Sequence, residues 1–245
     1  MIGVAIPAHD EEAYLDACLH ALLRAACHPA LAGEQVMVCV VLDACSDRSL
    51  DVVALHEALF GAAGCRLAWC EISARQVGAA RAAGARHLLE RGARWLAFTD
   101  ADTCVAPGWL AAQIALGADV VCGSVGVEDW SAHGDQSSVL CERFRGDYQD
   151  RDGHRHIHGA NLGVSAKAYL AVGGFACVAC HEDVLLVRAL EGIGARFAWS
   201  AQPRVVTSAR TDARARGGFG DTLRALAAGL LPLEAAPWPT PQPAD

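Results

Sequence analysis

Trp95-Leu-Ala-Phe-Thr-Asp-Ala-Asp-Thr-Cys-Val-Ala-Pro107 decides how this chain is organised. An apolar run with no polar alternation reads as a strand buried on both faces, the mark of a parallel sheet covered by helices. Asp100 and Asp102 stand at its carboxyl end, where open parallel sheets bind their ligands. Helix capping explains a single Asp in such a place. It explains this pair poorly, because the next helix opens only at Pro107. Two carboxylates two residues apart suit a hard divalent cation shared with phosphate oxygens.

The pattern repeats on either side of that stretch. Ile2–Ile6, Val36–Leu42, Cys65–Ile72 and Ala118–Gly123 are further apolar runs that predict strands. Between them the spacing predicts helices over 11–26, 48–59, 76–91 and 107–116, the first with Asp10 as its cap. Acids again follow the strands: Asp10, Glu11 and Glu12 after the first, Asp43 and Asp47 after the second. Beyond Gly123 the chain is less regular. Residues 124–160 are polar, and strands are expected at 160–164, 196–199 and 204–206. Helices are expected at 166–172, 182–190 and 221–231, before a loose proline-rich tail at 237–245. One domain is expected over 1–245, with a nucleotide-type half (1–123) and an acceptor-type half (124–236).

Composition narrows the function classes. Of 245 residues, 53% are hydrophobic and 20% charged, enough apolar chain for a sizeable core and too much for disorder. The net charge of −8 argues against a nucleic-acid binder held by phosphate contacts. An acidic protein handling anionic substrates must gather positive charge from a metal or from arginine, and Lys167 is its single lysine. The 11 cysteines are scattered through apolar runs, as reduced buried thiols would be. Residues 1–9 lack a basic leader and no apolar stretch is long enough for a membrane span, so a soluble cytoplasmic protein is expected.

Competing motifs fail. Pro7-Ala-His-Asp10 stands where a dinucleotide fold needs G-x-G-x-x-G, and neither a P-loop nor a G-x-S-x-G elbow occurs. Cys177-x-x-Cys180-His181 has zinc-ligand spacing on one side only, with no second half-site. His154, His156 and His158 share one face if extended, and are expected at an acceptor mouth or in solvent. Trp130, alone among the tryptophans in a polar loop, is a candidate for stacking on a ligand ring.

Five segments in order resemble family 2 glycosyltransferases of the GT-A fold. Ile6-Pro-Ala-His-Asp-Glu-Glu12 is similar to the family's P-x-x-N-E-E, with Asp10 where Asn is usual. Leu42-Asp-Ala-Cys-Ser-Asp47 resembles D-D-x-S-x-D without its first acid. Gly78-Ala-Ala-Arg-Ala-Ala-Gly84 resembles G-x-x-x-A-R-N-x-G, with Ala82 replacing Asn. Thr99–Thr103 followed by Pro107-Gly-Trp109 resembles the D-x-D segment. Gly159-Ala-Asn-Leu-Gly163, Gly173-Gly-Phe175 and His181-Glu-Asp183 resemble the acceptor segment.

The resemblance implies an α/β GT-A fold: a mostly parallel central sheet flanked by helices, a Rossmann-like nucleotide half and an acceptor half. It implies transfer of a sugar from a nucleotide diphosphate sugar to a hydroxyl acceptor, with Mg²⁺ or Mn²⁺ held by Asp102 and Asp100. Asp100 is alternatively a ribose contact, and Asp43 an acceptor for a pyrimidine imide. Pro7, Ala8, Glu11, Asn161 and Glu182 would line the substrates. Arg81 would pair with Asp43, contact the nucleotide, or simply brace loops. Asp183 is the candidate base of an inverting reaction, against the plainer reading of two acids at a helix N-terminus. Arg210, on a loop ending in Gly217-Gly218, would close over the diphosphate, unless that loop is merely solvated. Two alternatives stay open, a sugar-nucleotide nucleotidyltransferase and a non-catalytic nucleotide- or metal-binding protein. A homo-oligomer is likewise left open.

Overall fold

A computed structural model describes residues 1–176, 178 and 180–212. The expected helix 221–231, the tail 237–245 and Cys177 lie outside the described residues.

Strand β1 (Ile2–Ala8) is apolar and buried along its length, and parallel neighbours flank it. They are β2 (Val36–Asp43) and β4 (Trp95–Phe98), and β3 (Arg66–Ile72) extends β2 outward. β7 (Leu162–Ser165) then pairs antiparallel with β4 and with β6 (Val120–Gly123), and β8 (Phe197–Ser200) closes the edge. The order is β3-β2-β1-β4-β7-β6-β8. The chain runs from β1 outward to β3 and then returns to the other side of β1 as β4. That reversal makes the gap beyond the carboxyl ends of β1 and β4 the topological switch point, where α/β sheets bind ligands.

Side chains alternate across β1, so the sheet has two cores. Ile2, Val4 and Ile6 pack under Leu15, Leu19 and Leu22 of α1 (Leu15–Ala26), Val53 and Phe60 of α2 (Ser49–Ala62), and Trp109 of α4 (Trp109–Ala115). Ala5 faces the other way, towards α3 (Val77–Leu89), Tyr169 of α6 (Ala166–Ala171), and Leu186 and Leu190 of α7 (Glu182–Gly192). Helix α3 is rich in small residues and lies close on the sheet. A Cβ at Gly84 would come within 2.9 Å of the Ala5 Cβ.

The structure departs from the sequence expectations in several places. The first helix begins at Leu15, not residue 11, and Asp10 does not cap it. Asp10 has a positive φ of 53° and accepts the Ser46 and Asp47 N–H groups, which ties the β1–α1 loop to the β2–α2 loop. Residues 103–105, ahead of the helix expected from Pro107 and not expected as a strand, form β5 (Thr103–Val105), antiparallel to β9 (Val205–Thr207). An eleven-residue helix α5 (Ser137–Asp147) lies in the polar stretch. Trp130 is buried against Phe144, with ring centroids 5.5 Å apart, and offers no face to a sugar. His154, His156 and His158 are also buried rather than facing solvent: His156 stacks on Tyr148, and His154 and His158 stack on His156. Among the described residues, no helix is long and apolar enough to cross a membrane.

Candidate functional site

The acids at the switch point are held by the buried Arg81 and the half-buried Arg210. Asp100 ends the apolar run of β4, and Glu11 follows β1. Both turn into the gap because their strands are parallel neighbours. Arg81, on the second turn of α3, reaches across to Asp100 and to the buried Glu182 at the start of α7. Gly159 lies directly against the Arg81 guanidinium, where a Cβ would be 2.3 Å from its Cζ. Burial opposes the Arg81 charge, but Asp100, Glu182 and Asp183 outweigh it and raise its pKa. The same burial raises the Glu182 carboxyl despite its arginine partner.

Arg210 spans the second group. Its Nη1 and Nη2 lie 2.6 and 2.7 Å from Glu11 Oε2 and Oε1, a bidentate fork, and its Nε is 3.1 Å from Asp102 Oδ2. The β5–β9 ladder brings residue 210 there: Thr103 pairs with Thr207, and the Ser208 N–H donates to the Asp102 carbonyl. The Tyr14 ring lies under the guanidinium at 5.2 Å. Burial pushes the Asp102 carboxyl up to about 6, against the pull of Arg210. Five carboxylates (Glu11, Asp100, Asp102, Glu182 and Asp183) thus surround two guanidiniums, leaving the pocket net negative.

Asp183 sits in the first turn of α7. Its Oδ2 accepts the Gly159 N–H at 2.8 Å, and its Oδ1 accepts the Val184 N–H at 2.8 Å. Each oxygen keeps a second lone pair. The side chain is half-buried and so remains open to an incoming group.

Three expected contacts are spent elsewhere. The Asp43 carboxylate does not meet Arg81. It accepts the N–H groups of Ala74, Arg75 and Gln76, which organises the turn into α3. Asn161 is fully buried, and its amide donates to the carbonyls of Ser124 and Pro203 while its Oδ1 accepts the Trp109 Nε1–H. It ties α4 to the segments around Ser124 and Pro203 and has no group left for a substrate. Arg81 is engaged by Asp100 and Glu182 in this arrangement. Pro7 and Ala8 close β1 beneath the pocket. Two participants were not read from the sequence: Tyr14 under Arg210, and Ser49, whose Oγ accepts the Glu11 N–H. Neither carried a motif signal.

Beside the acids, at the carboxyl ends of β2 and β3, a cleft of about 320 Å³ is lined by Leu42, Ala44, Cys45, Leu50, Glu71 and Ile72, among others.

The mostly parallel sheet, with acids and two arginines gathered at the β1–β4 switch, is of the GT-A type, and solved structures of that fold superpose on it. The chain belongs to glycosyl transferase family 2, whose model matches residues 3–173. A mannosyltransferase from Pyrobaculum calidifontis, solved with GDP-Man and Mn²⁺, aligns at TM-score 0.63 and 19% identity, covering 93% of this chain and 61% of that one. S. aureus TarS 1–349 with UDP aligns at 0.62 and 13%, covering 84% and 60%. GalNAc-T7 with UDP, GalNAc and Mn²⁺ aligns at 0.61 and 13%, covering 94% and 48%. The chain therefore spans about half to three-fifths of these structures. No curated protein sequence matches it.

Proposed function

We propose that this chain transfers a sugar from a nucleotide diphosphate sugar to a hydroxyl acceptor, with Mg²⁺ or Mn²⁺ at Asp102 and Asp100. The observation that carries the reading is the excess of carboxylates at the β1–β4 switch, bridged by Arg210. The donor set fits such an ion: hard oxygens only, one of them from the half-buried Asp102, whose carboxyl is raised by desolvation and by the neighbouring Asp100 and Glu11. Among the described residues these acids do not close into a three-ligand cage, so phosphate oxygens and water would complete the shell. When bound, the ion supplies positive charge to the departing diphosphate.

The protein's own groups do the rest. The cleft beside β2 and β3 holds the nucleoside, and Ala8 and Glu11 border its phosphate end. Arg210 exchanges its carboxylate partners for diphosphate oxygens, which its planar fork also matches. Asp183 takes the proton of the acceptor hydroxyl as that oxygen attacks the anomeric carbon and the carbon–diphosphate bond breaks on the opposite face, giving inversion. Arg81 and Gly159 hold Asp183 and the start of α7 in position.

Asp183→Asn tests the base. Because Asn keeps an acceptor for the Gly159 N–H, the fold and nucleotide affinity are expected to hold while transfer falls by about 10²–10⁴-fold. Transfer at the wild-type rate removes Asp183 from the chemistry.

A further inference from the structure

Away from the pocket, α1 and α2 bring three metal-ligating side chains together. Asp16 and His20 stand one turn apart on α1, and His56 reaches them from α2. His56 Nε2 lies 2.9 Å from Asp16 Oδ1, and His20 Nδ1 lies 3.5 Å from Asp16 Oδ2. The two imidazoles meet edge to face with centroids 4.6 Å apart. One ligand atom from each residue falls within 4.8 Å of the others. A tetrahedral ion with Zn–N bonds near 2.0 Å needs ligand atoms roughly 3.3 Å apart, so small side-chain rotations suffice.

The position of His56 is unusual for a plain helix contact. The buried stripe of α2 is Ser49, Val53, His56 and Phe60, where periodicity asks for an apolar residue at 56. Its side chain is only 3% exposed, and its Nδ1 finds no hydrogen-bond partner. A Leu there would avoid that desolvation cost. The Nε2 edge is turned instead to the one gap where Asp16 and His20, 67% and 48% exposed, open to solvent. Two imidazoles and one carboxylate form the donor set of borderline cations, distinct from the all-oxygen pocket at the switch point.

We propose that Asp16, His20 and His56 form a second cation site, of the Zn²⁺ class, clamping α1 to α2 with water in the fourth position. Coordination replaces the His20 Nδ1 hydrogen bond to the Asp16 carbonyl, now 3.0 Å, and moves that ring proton to Nε2. Both clamped helices grow out of loops that border the donor site. The Glu11 N–H already donates to Ser49 Oγ, and the Glu12 N–H to Asp47 Oδ2. The ion therefore fixes one loop against the other from behind.

The test is titration of the untagged full chain at neutral pH with Zn²⁺, and with Co²⁺ as an absorbing probe, following heat, melting temperature and the visible spectrum. The variants are Asp102→Asn, Asp16→Asn and His20→Ala; the last two alter exposed side chains, so folding is preserved, and His56 is left intact. One Zn²⁺ equivalent is expected in the wild type and in Asp102→Asn. Its affinity is expected to weaken by about tenfold or more in Asp16→Asn and His20→Ala, with loss of the Co²⁺ absorption. Absence of binding in the wild type, a smaller effect in both α1 variants, or loss of the ion in Asp102→Asn would overturn the assignment.

Discussion

Asn161 and Asp43 show how much a residue's partners decide about its role. Asn161 has every amide hydrogen and its carbonyl oxygen committed to Ser124, Pro203 and Trp109 in a fully buried setting. Asn161→Ala strands the Trp109 indole N–H and two carbonyls, and a stranded buried group costs about 1–3 kcal/mol. The melting temperature should therefore fall by about 5 °C or more, since each kcal/mol is worth about 2–4 °C at this size. An unchanged melting temperature with a raised KM would restore the substrate-contact reading. The motif G-A-N-L-G pointed at the right place but not at the use. Spacing marks a polar residue beside a strand end, whereas only the fold shows which carbonyls converge on it. Arg81 is similar: its position on α3 was legible, and its true partners, 19 and 101 residues further along the chain, were not.

At the scale of elements, the apolar strands β1, β2 and β4 and the helices over them were legible because each is a continuous apolar run or a periodic stripe. β5 was harder, although its partner β9 was expected at 204–206. Three residues are too few for a pattern, and each strand exists by pairing with the other across about a hundred residues. Yet this small ladder delivers Arg210 to Glu11 and Asp102. Arg210 bridges those carboxylates, beside the place proposed for the cation. Arg210→Ala should therefore raise the affinity for Mn²⁺ alone, because the competing charge is gone, and lower the affinity for Mn²⁺ with a nucleoside diphosphate. Calorimetric titration of both, in wild type and variant, reads the two signs separately. Movement of both affinities in the same direction contradicts the exchange.

The whole molecule carries −8, and acidification acts on it through its buried histidines as well as its acids. Burial holds His156 at about 4 and His158 at about 3, and lowers His154 as well, so these rings are neutral in the folded chain at neutral pH. The unfolded chain protonates them near pH 6.5 and so binds more protons below that value. Their stabilising neutrality is fully present above about pH 6.5 and is lost as pH falls towards the folded values. Melting temperature should drop on acidification, and less steeply in His156→Gln, which keeps the acceptor for the Gln149 N–H. An identical slope in the variant removes His156 from the acid response.

The central claim is a cation-assisted sugar transfer at the β1–β4 switch. Its most direct measurement is turnover of a panel of UDP- and GDP-sugars with Mn²⁺, with EDTA, and in Asp102→Asn. The account predicts turnover that depends on added Mn²⁺, stops with EDTA and is lost in Asp102→Asn. Turnover undiminished by EDTA or by the substitution would contradict it.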